Sequence, residues 1–481
     1  MGDKGKGHWL ILVLLALAQF MVVLDASIVN VALPALQHSF HLSPTNLQWV
    51  VTAYTLAFGG FLLLGGRAAD LYGRRKVFLT GVAFFAIISL LDGLAVNSGM
   101  LIGLRAFQGL AGAFMSPAAL SIVLVTYKEG HERNIALSIW GAVAAGGAAV
   151  GVLLGGILTQ YLGWRWNFFI NVPIAALVLL SAWKLIPKHE SEETHNELDL
   201  PGAVSVTAGL MLLVYGLVKA PSVGWTAHST LGFIGAAVAL IIFFIWNESR
   251  ARRPLMPLSI FKIRNITGAN LTQMPVAAAM FSIFYFTSIY VQEILGFSPV
   301  RTGLAFLAVP ITIAITATNA PRLIKKVGYK RILMVSPLII ATGMFILGHV
   351  PVHGDYFTHV LPGLVVMALG MGFTFVSTTV AATSGVPARE AGLASGLINT
   401  AQQLGGALGL AVLSGVAAAS TTRYLHHTGG QPSHALTNTA LVHGFHTAYF
   451  TASAFAVAAA LVATFVIKQK AGASASGSPT L

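Results

Sequence analysis

Fourteen apolar stretches, each about 18 to 30 residues long and separated by short polar breaks, run from residue 9 to residue 467. About 20 residues of helix cross the roughly 30 Å hydrocarbon core of a bilayer. The pattern therefore commits the chain to an all-α polytopic membrane protein. The expected spans lie at about 9–32, 47–70, 77–97, 99–126, 135–161, 168–186, 200–219, 229–247, 266–292, 301–323, 330–350, 359–383, 391–420 and 444–467. Composition agrees: 56% of the 481 residues are hydrophobic, 9% are charged, and the mean hydropathy is +0.78. The first run exceeds the core of a signal peptide and no cleavage site follows it, so it reads as a retained span.

A net charge of +13 would suggest nucleic acid in a soluble protein, but here the basic residues belong to loops. With the N-terminus inside, 23 of the 28 Lys and Arg fall on inner segments, four on outer segments, and Arg105 lies within a span. The positive-inside rule then places both termini in the cytoplasm, with no nucleic-acid partner. Cysteine is absent, which excludes disulfides, thiolate metal sites and cysteine nucleophiles. Histidines crowd the outer segments, among them His38, His41, His353, His359, His426, His427 and His434. They converge on no ligand spacing, so a solvated surface is expected and no metal. The glycine pairs Gly59-Gly60 and Gly405-Gly406 do not follow a strand, so ATP is not the expected energy source. No cofactor and no enzymatic activity are expected.

The chain repeats itself. The loop from Gly66 to Leu79 has a diverged echo from Pro321 to Met334, in which Arg67, Gly73 and Arg75 align with Arg322, Gly328 and Lys330. At a nearly equal offset, Gly147 and Gly151 fall over Gly405 and Gly409. Two such matches imply duplicated six-span halves, a known transporter architecture with the substrate site near the midplane between them. The organisation read from this is an N-terminal six-helix bundle at 9–186, a linker carrying two inserted spans at 187–265, a C-terminal six-helix bundle at 266–467 and a disordered cytoplasmic tail at 468–481. The acidic run between Ile186 and Leu200 and the Ala, Gly and Ser-rich tail from Ala471 read as solvated segments without a role.

The motifs resemble a known family. Gly66 to Leu79 is similar to the signature between spans 2 and 3 of the major facilitator superfamily, and Leu101 to Gly109 resembles its span-4 motif, with Arg105, Gln108 and Gly109 in place. Leu24 to Pro34 resembles the span-1 signature of the fourteen-span drug:proton antiporters, and Trp164 to Pro173 and Gln292 to Pro299 resemble that family too. The resemblance covers residues 9 to 467 and implies the major facilitator fold and a monomer, while the rich Ala and Gly usage and the lack of a eukaryotic targeting signal suggest a bacterial inner (plasma) membrane. One departure stands in span 5. The antiporter motif there carries Gly-Pro, with Gly-Gly two residues later, whereas this chain has Gly151-Val152 before Gly155-Gly156. Any kink must then come from glycine, because valine neither clashes nor lacks a donor. The small faces Gly147/Gly151/Gly155 and Gly405/Gly409 suit close helix packing, with a gating hinge as the other reading.

Two ionisable groups lie deep in spans, Asp25 and Arg105, and such groups face protein or water. By the expected boundaries Asp25 is about 10 Å and Arg105 about 9 Å from the outer ends of spans 1 and 4. In the implied fold both spans line the cavity, so the two are candidates for proton coupling, with a permanent structural pair as the alternative. The resemblance also implies a latch at the cytoplasmic end of span 2, in which Asp70, with Gly73, Arg74 and Arg75, meets the start of span 13 near Ala391. Asp92 belongs to no motif; a local hydrogen bond and a proton role are both open. Glu293 reads as an interfacial residue.

The candidate substrate cavity is lined by Asn30, Gln48, Tyr54, Asn270, Gln273, Phe281, Tyr285, Asn399, Gln402 and Gln403. Few polar anchors on an apolar wall suit small hydrophobic or amphiphilic ligands. The expected function is proton-coupled antiport exporting hydrophobic drugs, dyes or antibiotics, with protons and the lipid bilayer as the other partners. A uniporter or symporter for a metabolite, and a membrane receptor or lipid-binding protein without turnover, are the alternatives.

Overall fold

The computed structural model describes residues 2–127, 131–186, 198–224, 226–252, 254–384, 386, 391–428 and 433–469. The acidic residues at 190–197 and the tail from residue 470 lie outside them. Among the described residues every regular element is helical. Fourteen helices are long and apolar enough to cross a membrane. Spans 1 to 7 are Trp9–Phe40, Trp49–Tyr72, Arg74–Gly93, Ser98–Thr126, Ile135–Tyr161, Trp166–Leu185 and Leu200–Ala220. Spans 8 to 14 are His228–Arg250, Arg264–Ile294, Pro299–Val327, Tyr329–Leu347, Tyr356–Thr383, Leu393–Thr428 and Ala435–Val466.

The number of spans matches the sequence pattern, but some ends do not. Span 1 runs on to Phe40 with Pro34 inside it, past the expected end at residue 32. Proline removes only its own N–H and one ladder bond, whereas ending the helix in lipid would strand several backbone groups. Asp25 therefore sits near the middle of span 1, not about seven residues from its end. Span 9 likewise continues through a π-helical turn at Tyr290–Ile294.

The chain falls into two compact units, one comprising Met1–Pro257 with Phe284–Leu307, the other Leu258–Ile283 with Ala308–Leu481. In the first unit span 1 packs on the glycine face of span 5. A Cβ at Gly151 would stand 2.7 Å from Ser27 Cβ, and one at Gly155 would stand 2.7 Å from the Ile28 carbonyl oxygen. Span 5 is helical through Val152, which is buried with Val31 and Phe306. Within the second unit the same construction recurs between spans 9 and 13. There a Cβ at Gly405 would stand 2.4 Å from Met274 Cα, and one at Gly409 would stand 2.0 Å from Ala278 Cβ.

The repeated loop also has a repeated backbone. Gly73, at φ 91°, and Gly328, at φ 83°, each precede the next helix in a conformation that costs a side chain strain and glycine none. Spans 7 and 8 pack on each other, with Tyr215 edge-on to Phe233 at 4.7 Å. Span 7 also rests on span 2, where Tyr215 meets Trp49 at 6.2 Å. Asp199 caps span 7 by accepting from the Gly202 N–H at 2.8 Å, and it accepts from Asn247 of span 8 through both oxygens.

Candidate functional site

Charge deep in a helical bundle is tolerated only when other spans supply its partners, and spans 1, 2, 3, 4 and 6 do this inside the first unit. Asp25 is 0% exposed and Arg105 1%. Arg105 Nη1 donates to Asp25 Oδ2 at 2.6 Å and to Gln108 Oε1 at 2.5 Å, while its Nε donates to the Val50 carbonyl at 3.1 Å. The other carboxylate oxygen, Asp25 Oδ1, accepts from Gln108 Nε2 and from Asn171 Nδ2, each at 2.9 Å. The same two amides donate to Ser89 Oγ at 3.1 and 3.0 Å, and the Ser89 hydroxyl donates to the Phe168 carbonyl at 2.9 Å.

The helical period explains how so few residues build this cluster. Arg105 and Gln108 are three apart and share one face of span 4, so both reach Asp25. Aromatic rings close the cluster, with the guanidinium 4.3 Å from the centre of the Tyr54 ring and 5.8 Å from that of Phe168. Spans 2 and 4 approach closely at Gly109, where an added Cβ would lie 2.2 Å from the Tyr54 carbonyl oxygen. Gly109→Ala must therefore shift backbone next to the Arg105 site. The expected cost is about 1–3 kcal/mol, read as a lower thermal unfolding midpoint in detergent. Gly103→Ala, where nothing lies within 4 Å of the added carbon, leaves the midpoint unchanged.

Asp92 forms no local hydrogen bond. It is 0% exposed and neither of its carboxylate oxygens has a partner. It lies one turn beyond Ser89 on span 3, within electrostatic reach of both Arg105 and Asp25. Glu293 Oε1 accepts from His38 Nε2 at 3.0 Å, tying the end of span 1 to the π-helical turn.

The cavity candidates divide between the two units. In the first, Gln48 is fully buried with both amide atoms unpartnered, and the Tyr54 hydroxyl is also unpartnered. Asn30 donates to the Ala26 carbonyl of its own helix, its carbonyl accepts from Ser288, and Tyr285 is buried. In the second, Gln273 accepts from Thr378 at 3.0 Å, and Asn270 donates to the Ile266 carbonyl at 2.8 Å. Phe281 lies against Gly406, Gln402 and Gln403 are half-buried, and Asn399 is exposed. Of the latch residues, Asp70 pairs with Arg74 at 3.4 Å. Arg75 donates to the Trp183 carbonyl and lies 5.7 Å from the centre of its ring. Residues 387–390, next to the expected landing point of the latch, lie outside the described residues.

The sequence put Asp25 and Arg105 at similar depth, so that a contact was possible, but gave no role to Gln108, Ser89, Phe168 or Asn171. A signal for Ser89 was present, since Ser89 and Asp92 are the polar pair three apart in an otherwise apolar stretch of span 3.

The sequence model of the family described as Major Facilitator Superfamily matches residues 15–410. The chain is 39% identical to the puromycin resistance protein pur8 of Streptomyces alboniger, over 96% of this chain and 90% of that protein. It is 37% identical to the cephamycin export protein CmcT of Amycolatopsis lactamdurans, over 85% of each. Among solved structures, a bacterial homolog to the human lysosomal transporter Spinster superposes with a TM-score of 0.71 at 15% identity, covering 95% of this chain and 96% of that one.

Proposed function

The chain belongs to the Major Facilitator Superfamily, and from that premise we propose that it exports a small hydrophobic or amphiphilic antibiotic in exchange for protons. It is a multi-pass transporter of the bacterial inner membrane. The observation that carries the coupling part is the fully buried Asp25–Arg105 pair, held at 2.6 Å. A permanent brace needs no titratable partner, and apolar packing of equal volume is often as stable as a buried ion pair. A carboxylate that can take up a proton, by contrast, changes the balance of the whole cluster. Protonated, Asp25 no longer neutralises Arg105, and the amides of Gln108 and Asn171 face an acid in place of an anion. That switch is the step by which alternating access follows the proton. The voltage part of the gradient contributes about 2.3 kcal/mol per charge per 100 mV.

Export as the direction of transport is supported by the relatives, named for resistance to or export of antibiotics. In this reading the loop from Asp70 to Arg75 serves as the inner latch of the cycle. In the same reading both termini lie in the cytoplasm, which the distribution of Lys and Arg supports.

Inside-out vesicles bearing the protein test this. With puromycin and a cationic dye as probes, an imposed inside-acid gradient drives accumulation several-fold above control vesicles, and a protonophore abolishes it. Accumulation that survives the protonophore contradicts proton coupling, and equal uptake by control vesicles contradicts export itself.

A further inference from the structure

One carboxylic acid in the first unit is left without a task by the Asp25–Arg105 pair. Asp92 is wholly buried, both of its oxygens lack a donor, and it lies near the C-terminal end of span 3, where the helix dipole disfavours a negative charge. Inside the cluster, among the described residues, Arg105 is the one buried cation for the two buried acids Asp25 and Asp92. Span 3 packs against spans 2, 4 and 6. Arg105 of span 4, whose guanidinium is hydrogen-bonded to Asp25, Gln108 and Val50, and Asp25 itself both act on Asp92 electrostatically without touching it. At the start of span 6 the Arg165 guanidinium is engaged with the Ala95 carbonyl at 3.3 Å. The charged residues of span 2, Arg67 and Asp70, lie at its opposite end, as does Lys184 of span 6.

Charge balance in this dry environment follows directly. With Arg105 positive, the cluster is neutral only when the two acids together hold one proton. Asp25 accepts three donors, including the guanidinium, and Asp92 accepts none. Depth adds a direction. Arg105 lies seven residues into span 4, about 10 Å of rise, whereas Asp92 is the last residue but one of span 3, beside a loop where Leu94 and Val96 are exposed. Of the two acids, Asp92 is the nearer to a helix end.

We propose that Asp92 is the proton-loading group of the transporter, holding a proton in the arrangement seen here and passing it to Asp25. The O–H bond breaks at Asp92 and one forms at Asp25, and Arg105 exchanges one carboxylate counterion for the other. Asp25 then releases that proton as water at the end of span 3 supplies one to Asp92, so the two acids again hold one proton and the cluster is neutral. This rests on the antiport reading above and adds to it a second acid and a route.

The test uses purified full-length protein in proteoliposomes, comparing wild type, Asp92→Asn and Asp92→Glu. Asparagine copies the shape of the neutral acid but cannot deliver a proton. Proton-driven puromycin transport falls at least tenfold in Asp92→Asn and loses its dependence on the pH of the face nearest Asp92. Puromycin-for-puromycin exchange, which moves no net proton, falls far less, and Asp92→Glu recovers part of the driven rate. Wild-type rate and pH dependence in Asp92→Asn overturn the proposal, as does equal loss of exchange and driven transport. Failure of Asp92→Asn to fold overturns it too, because a neutral isostere is tolerated where the native group is neutral. If wild type itself moves no protons with puromycin, the antiport reading falls; if wild type does and Asp92→Asn matches it, only the loading role falls.

Discussion

Replacing Arg105 by alanine is expected to abolish export and to cost about 3–5 kcal/mol of folding stability, because it strands a buried carboxylate. Asp25 would keep the two amide donors of Gln108 and Asn171 but lose its counterion, and the Val50 carbonyl and the Tyr54 ring would lose the guanidinium that lies against them. Thermal unfolding in detergent reads the stability loss, and drug accumulation in vesicles reads the function. Arg105→Lys is expected to fall between, since an ammonium cannot reproduce the planar fork that serves Asp25, Gln108 and Val50 together. An alanine variant with wild-type stability and transport would mean that the pair is ornamental.

Asp25→Asn carries the second large effect, and its signature differs. Net transport driven by a proton gradient is expected to fall by at least two orders of magnitude, equivalent to about 2.7 kcal/mol in the driven step. The protein stays folded, with a smaller stability loss than Arg105→Ala, because Asp92 remains as a carboxylate that can balance Arg105. Driven transport and unfolding midpoints measured side by side separate the two variants. Equal destabilisation by both would contradict the two-acid account of charge balance.

Much of this was legible in the sequence because lipid imposes its constraints residue by residue. The length of each apolar run sets a span, the repeated loop has positive-φ glycines at Gly73 and Gly328, and the repeated glycines have close contacts at Gly151 and Gly409. Asp25 and Arg105 stood out because charge in a span is expensive. The rest of the cluster did not. Ser89 and Asn171 are small polar residues that any span tolerates, and only the packing of span 6 on span 1 brings Asn171 to Asp25, as the packing of span 3 on spans 4 and 6 brings Ser89 to the amides of Gln108 and Asn171. The end of span 1 was misjudged because proline reads as a stop in water, whereas in lipid the helix around Pro34 is the cheaper arrangement.

Proton movement from the interior of proteoliposomes, followed with a trapped pH-sensing dye as puromycin is added outside, tests most directly whether Asp25 couples drug to proton. Wild type should alkalinise the interior in proportion to puromycin uptake, and Asp25→Asn should give uptake of labelled puromycin only down its gradient with no change in dye signal. Alkalinisation of equal size in Asp25→Asn, or puromycin uptake without proton movement in wild type, would contradict the account.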